Sequence, residues 1–201
     1  MTDTHALDPK MRADVNDLIQ QRVTEGFAPA DQIMEWMFDF FEGQDFDFDA
    51  LEAYVVRATR EAIAAHCAAQ KSWPEETDCG RLDFAFLLLE EEGIVARQNF
   101  TCCQTCGHAE IWAEIREAQK QRLVKGYVFY HAQDTESAVR HNSLYLAYGA
   151  VGKDEGAELA VAQRIAAVMQ EAGFTVEWNG STKTRIKLKD IDWKKRREEC
   201  G

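Results

Sequence analysis

The chain has no long hydrophobic run and no leader-like start, and both absences exclude a class of protein. No stretch approaches the ~18 consecutive apolar residues that a membrane-spanning helix requires. The segment Met1–His5 has neither the basic start nor the apolar run of a signal peptide. We therefore expect a cytoplasmic protein without a membrane segment, whose cysteines are free and reduced.

Positive charge is also scarce, because 23 Lys and Arg face 35 Asp and Glu, for a net charge of -12. An acidic body repels phosphate backbones, so we expect no nucleic-acid partner. Residues 182–201 depart from this pattern, with eight Lys and Arg against four Asp and Glu. This basic end is either an anion-binding patch or the solvated face of a strand.

The first third of the chain reads as helices joined by short connections. Apolar positions recur at helical spacing in three segments, which are Pro9 to Gly26, Pro29 to Gly43 and, after the acidic linker Gln44–Asp49, Leu51 to Cys67. The breaker Trp73–Asp78 follows them. We therefore predict a helical N-terminal region over residues 1–73.

The remainder alternates helices and strands, which predicts a mixed α/β domain over residues 74–201. The predicted strands are 94–100, 127–131, 144–148, 174–178 and 184–189, and the predicted helices are 81–92, one through Ile111, Ile115 and Leu123, one capped by Asp134, and 155–171. The last two strands form a hairpin around Asn179-Gly180, with Ile186 and Leu188 facing inward. The fold class is α+β, a helical N-terminal layer followed by a mixed β-sheet flanked by helices.

Three of the six cysteines fall within the run Thr101–His108, between a predicted strand and a predicted helix. One interpretation is a redox pair of Cys103 and Cys106, because a helix N-terminus lowers a thiol pKa. Thioredoxin-like folds also need a cis-proline facing that pair, and no proline follows Pro74.

A second interpretation is a zinc site. The local candidate ligands are Cys102, Cys103, Cys106 and His108, and Cys79 is the best donor from outside the run. Adjacent cysteines rarely bind one tetrahedral ion together, so at most three ligands come from the run. A third interpretation is that small, soft side chains pack a tight turn. The sequence leaves the three open.

Two other candidates are weaker. His131, Asp134 and Glu136 follow a predicted strand, where α/β folds often place active residues, but Asp134 as a helix cap and His131 as a partly exposed residue is the simpler interpretation. The segment Gly149–Lys153 is no phosphate loop, because Ala147 and Asp154 occupy positions that require Gly and Ser or Thr.

Four phrases together carry a resemblance to a known family. They are Thr77–Asp83, Asn99–Gly107, His131–Glu136 and Leu144–Gly149. The chain resembles, over roughly residues 75 to 195, a bacterial family known only as a domain of unknown function. The resemblance implies a bacterial, cytoplasmic source and one folding unit in the C-terminal two-thirds, and it implies no activity.

No complete catalytic constellation is present, so we lean against an enzyme. The acidic charge favours a non-enzymatic binding or regulatory protein of the inhibitor or immunity type, with a protein partner. The alternative is a zinc-binding or thiol-disulfide redox protein that works through the cluster from Cys102 to Cys106.

Overall fold

The chain divides into two compact units, one helical and one built on a sheet. The structure is a computed structural model that describes residues 7–41, 48–152 and 156–200. The first unit comprises Met1–Glu75 with Lys194–Gly201, and the second comprises Glu76–Trp193. The α+β fold class is confirmed. Among the described residues no helix is long and apolar enough to cross a membrane.

The described residues of the first unit contain three α-helices, α1 (Pro9–Glu25), α2 (Ala30–Phe41) and α3 (Phe48–Gln70). Asp8 begins α1 by accepting a hydrogen bond at Oδ1 from the Met11 N–H at 2.8 Å, and Gly26 ends it with φ of 78°. The apolar residues at helical spacing form one core, including Val15, Ile19, Val23, Ile33, Met37, Leu51 and Val55. The predicted helix end at Gly43 and most of the predicted linker lie outside the described residues.

The segment Lys194–Cys200 packs in this helical unit, although the sequence analysis placed it in the α/β domain. The buried Arg197 guanidinium donates to the carbonyl oxygens of Val23 at 3.2 Å and Ala28 at 2.6 Å. A disulfide joins Cys67 of α3 to Cys200. The expectation that all six cysteines are free is therefore wrong, because the chain returns to α3 after 133 residues.

Outside the gap at 153–155, the second unit consists of a five-stranded mixed sheet with four α-helices. Its elements are α4 (Asp78–Glu91), β1 (Ile94–Arg97), α5 (Gln104–Ala118), β2 (Gly126–Phe129), α6 (Ala132–His141), β3 (Ser143–Ala150), α7 (Ala157–Glu171), β4 (Thr175–Glu177) and β5 (Ile186–Lys189). The strand order is β1-β2-β3-β5-β4. β1 and β2 are parallel, with α5 as their crossover, and the other neighbours are antiparallel.

Helices cover both faces of the sheet. Successive side chains of a strand point to opposite faces, so the strand residues that a helix contacts show which face it covers. Phe129 of β2 contacts Gly107 of α5, where a Cβ would overlap the aromatic ring. Gly126 of β2 faces α7 instead, where a Cβ would lie 2.8 Å from Val161 Cγ2. Residues 126 and 129 are three positions apart in β2, so they face opposite sides of the sheet. α5 and α7 therefore lie on opposite faces.

Several predicted boundaries need correction. β1 ends at Arg97 rather than at residue 100, and α5 ends at Ala118, which leaves Leu123 outside the helix and 79% exposed. α4 begins at Asp78, since the Thr77 hydroxyl accepts a hydrogen bond from the Gly80 N–H at 3.1 Å. The inward orientation of Ile186 and Leu188 is confirmed, as both are fully buried.

Candidate functional site

The cysteine run lies at the carboxyl ends of the two parallel strands β1 and β2. The loop after β1 is hydrogen-bonded to the loop after β2, with Phe100 N–H donating to Tyr130 O at 2.8 Å and Ala132 N–H donating to Thr101 O at 3.1 Å. The Thr135 hydroxyl adds a bond to Asn99 Oδ1 at 2.8 Å. In open α/β sheets, ligands bind at this end of the strands.

Two residues of the cysteine loop adopt left-handed backbone angles, with φ of 48° at Asn99 and 61° at Thr101. Asparagine tolerates this region, but a β-branched threonine seldom adopts it, and the cost is about 1–2 kcal/mol. The Thr101 hydroxyl also donates to the Cys103 carbonyl at 3.2 Å. Such strain persists where the surroundings fix the backbone, and it concentrates at functional sites. The hydrogen bonds to the loop after β2 and that of the Thr101 hydroxyl stabilise these angles.

This conformation brings three sulfur atoms together. Cys103 is the extended N-cap residue of α5, with φ of -154°, and Cys106 lies in the first turn of that helix. The Sγ atoms of Cys102 and Cys106 are 3.5 Å apart, and the three sulfurs lie within 4.8 Å of one another. Cys102 is exposed and the other two are half-buried. Although Cys102 and Cys103 are adjacent in the sequence, their sulfur atoms lie within 4.8 Å of each other.

The local hydrogen bonds shift the pKa values of two of these thiols in opposite directions. The backbone N–H of Cys106, followed by the side chains of Cys106 and Cys102, lowers the pKa of Cys103. Hydrogen bonding to Cys102, followed by Cys103, raises the pKa of Cys106 to about 11. Cys103 therefore ionises first, and its negative charge lies at the positive end of the α5 dipole.

The other two predicted ligands do not join the sulfur cluster in the described part of the chain. Cys79 is buried in α4, at 3% exposure. His108 lies one turn along α5, where Nδ1 is 3.2 Å from the Tyr127 hydroxyl and Nε2 is 3.5 Å from Gln104 Nε2. Burial, and then the charge of Arg185, lowers the pKa of His108.

A second polar cluster lies beside the cysteine loop, formed by His131, Asp134 and Arg185. His131, rather than Asp134, is the N-cap of α6: the Asp134 N–H donates to His131 Nδ1 at 3.3 Å, and the His131 N–H donates to Asp134 Oδ2 at 3.2 Å. Arg185 Nη1 donates to both carboxylate oxygens of Asp134, at 2.9 and 3.1 Å. Glu136 pairs with Arg140 instead.

His131 and Asp134 are both buried, so the sequence interpretation of His131 as partly exposed is wrong. Burial lowers the pKa of His131 and raises that of Asp134, although the Arg185 charge opposes the second shift. Arg185 was not among the predicted site residues, because in the sequence it is one of the eight basic residues of the stretch 182–201. Its partner Asp134 lies 51 residues earlier in the chain.

Residues 8–197 match the model of a family whose description is Domain of unknown function (DUF6891). The chain belongs to that family. No curated protein and no solved structure matches it. The family match covers both units, whereas the sequence analysis found the resemblance only over roughly residues 75 to 195. Membership in DUF6891 brings no activity, so the function must be argued from the site.

Proposed function

We propose that this protein binds a soft metal ion, zinc above all, through Cys102, Cys103 and Cys106. The observation that carries the proposal is the convergence of three sulfur atoms within 4.8 Å at the start of α5. Thiolates are the soft ligands that favour zinc and copper(I) over the hard cations magnesium and calcium. Structural and catalytic zinc sites both use such ligands.

The sulfur spacing suits a shared ion. With zinc–sulfur bonds of about 2.3 Å, two ligands of a tetrahedral ion have sulfur atoms about 3.8 Å apart. The Cys102 and Cys106 sulfurs are 3.5 Å apart. Small side-chain rotations therefore suffice to bind an ion, and the fixed loop backbone supplies the preorganisation that metal sites need.

Three sulfurs leave one position of a tetrahedral ion for an external ligand. Cys79 is buried elsewhere in α4, and the imidazole of His108 faces Tyr127 and Gln104. Cys102 is exposed, so the cluster is open to water. The bound ion would therefore exchange more readily than one enclosed by four protein ligands.

The sequence favoured a non-enzymatic binding or regulatory protein, with zinc binding as the alternative, and this proposal names a metal ion as the ligand. A metal-binding protein need not be an enzyme, since a bound metal can act by stabilising the folded state. The inhibitor or immunity type, a protein partner and a cytoplasmic location stay predictions.

Elemental analysis of the freshly purified protein tests the proposal. We expect about one zinc or copper ion per chain, and a lower melting temperature after chelation, because metal binding to the native state adds to folding stability. Cys106→Ser should lower both the metal content and the melting temperature. Cys79→Ser is the matched control, since it removes a thiol outside the cluster and should leave the metal content unchanged.

Two outcomes would contradict the proposal. One is a protein that contains no metal above background, takes up neither zinc nor copper(I), and melts at the same temperature with and without chelator. The other is equal metal content in the wild-type and Cys106→Ser proteins.

A thiol-disulfide redox function is the second candidate, favoured by the lowered pKa of Cys103. A redox pair needs an accessible thiolate and a nearby resolving thiol. Cys102 and Cys106 both lie close enough to Cys103 to serve as the resolving thiol. Oxidation would then consume the thiolates that bind metal. Reversible loss of two thiols on mild oxidation, in protein that binds no metal, would favour this candidate.

A further inference from the structure

A small cleft opens between α5, the start of α7 and the segment that leads into β5. Its lining includes Gln104, His108, Tyr127, Glu158, Lys183 and Arg185, and its volume is about 260 Å³. The pairing of β3 with β5 stops at Leu146 and Ile186, so Ala147–Ala150 of β3 extend beyond β5. Residues 182–185 therefore run past the last part of β3 and form one wall of the cleft.

Arg185 is held in this wall from two sides. Its Nη1 donates to the buried Asp134 carboxylate, and its guanidinium carbon lies 4.8 Å from the centre of the Tyr145 ring. These contacts use one of the three guanidinium nitrogens. In the described part of the chain, the Nε and Nη2 donors have no hydrogen-bond partner, and neither has the Lys183 ammonium group.

We propose that this cleft binds a small molecule carrying one carboxylate, with Arg185 and Lys183 as the anion-binding pair. The Nε and Nη2 groups of an arginine match the two oxygens of a carboxylate. A side chain already fixed by Asp134 and Tyr145 loses little conformational freedom on binding. The proposal uses none of the three cluster cysteines, so it stands apart from metal binding.

Charge and size restrict the ligand. Among the residues that the structure describes, two cations and one carboxylate, Glu158, line the cleft, and Asp134 behind Arg185 offsets part of its charge. A single negative charge therefore fits better than a phosphate dianion. The volume lies just below the ~300 Å³ at which pockets for drug-sized ligands begin, so the ligand is small.

Titration of the ¹⁵N-labelled full-length protein tests the inference. The probes are acetate, L-lactate, succinate and inorganic phosphate. We expect saturable shifts of the amide signals of residues 182–185 and Gln104 with acetate or L-lactate, at lower concentration than with phosphate. Lys183→Gln should weaken binding about tenfold, equivalent to about 1.4 kcal/mol. Lys120→Gln, which removes the same charge at an exposed site outside the cleft, should bind like the wild type.

Arg185→Lys keeps a positive charge opposite Asp134 and removes the paired donors, so it too should bind about tenfold more weakly. Lys183 is exposed, so its variant keeps the test valid if Arg185→Lys fails to fold. The same titration on Cys106→Ser protein separates this inference from the metal proposal, since carboxylate binding should persist there. No saturable shift with any carboxylate, tighter binding of phosphate, or equal affinities of Lys183→Gln and Lys120→Gln would overturn the inference.

Discussion

At the scale of single residues, position relative to a helix end decides how a thiol behaves. Cys103 precedes α5, and the backbone N–H of Cys106 lowers its pKa, whereas Cys106 lies inside the first turn, where hydrogen bonding to Cys102 and Cys103 raises its pKa. Burial does not separate these two thiols, because both are half-buried. The hydrogen bonds around each sulfur make the difference.

We predict that iodoacetamide labels Cys103 before Cys106 in the reduced, metal-free protein near neutral pH. The thiolate is the attacking species, and the lowered pKa of Cys103 gives it more thiolate, while a pKa of about 11 keeps Cys106 protonated. As the pH falls through the pKa of Cys103, its labelling should slow. Peptide mass spectrometry over a time course measures both rates.

Buried Cys79 serves as the internal reference for slow labelling, and added zinc should protect Cys103. If Cys106 reacts first, or if zinc has no effect on any of the three cluster cysteines, this account of the site is wrong.

The sequence was sufficient to predict the cysteines as candidates, because three of them fall in one short run. It could not predict which of them meet, since that depends on the left-handed angles at Asn99 and Thr101. The pairing of Arg185 with Asp134 was likewise hidden, because a contact across 51 residues leaves no local pattern.

At the scale of elements, the placement of α5 depends on one close approach to the sheet. Gly107 is buried against the ring of Phe129, which is itself fully buried. The cysteine cluster lies at the N-terminus of this helix, so the position of the helix sets the direction in which the sulfur atoms point.

Gly107→Ala should destabilise the second unit by about 1–3 kcal/mol, because the new methyl group overlaps the Phe129 ring. Gly80→Ala is the matched control: Gly80 is an exposed residue of α4, and a Cβ there lies 3.6 Å from Thr77 Oγ1, an ordinary contact. That control should be neutral or stabilising by up to about 1 kcal/mol. Urea unfolding measures both variants, and equal destabilisation would show that α5 does not approach the sheet as described.

Helix and strand types were predictable because apolar spacing is local, and all three N-terminal helices and the final hairpin were found this way. Boundaries were less predictable. Leu123 fits the helical spacing of Ile111 and Ile115, yet it lies beyond the end of α5, because spacing alone does not show where a helix stops. The strand order could not be predicted, since it depends on pairings between distant strands.

At the scale of the whole molecule, a covalent link closes the first unit. The disulfide between Cys67 and Cys200 joins α3 to the segment that contains the buried Arg197. The sequence predicted six reduced cysteines, whereas the structure joins two of them and leaves the other four outside any disulfide.

Alkylation of the unfolded protein without reductant should therefore modify four cysteines, and alkylation after reduction should modify six. Cys200→Ser should lower the stability of the first unit by about 2–5 kcal/mol, because the crosslink no longer restricts the unfolded chain. Reductant should lower the melting temperature of the wild type and leave that of Cys200→Ser unchanged. Six reactive thiols before reduction would show that the link does not form.

The return of Lys194–Cys200 to the first unit has a consequence for biosynthesis. Domains usually fold in the order of their synthesis, N-terminal first. Here the helical unit needs Arg197 and Cys200, which leave the ribosome only after all of Glu76–Trp193. The sheet unit is one continuous segment of the chain, so all of its residues are synthesised before the last residues of the helical unit. The unit whose helices are translated first is therefore the unit that must finish folding last.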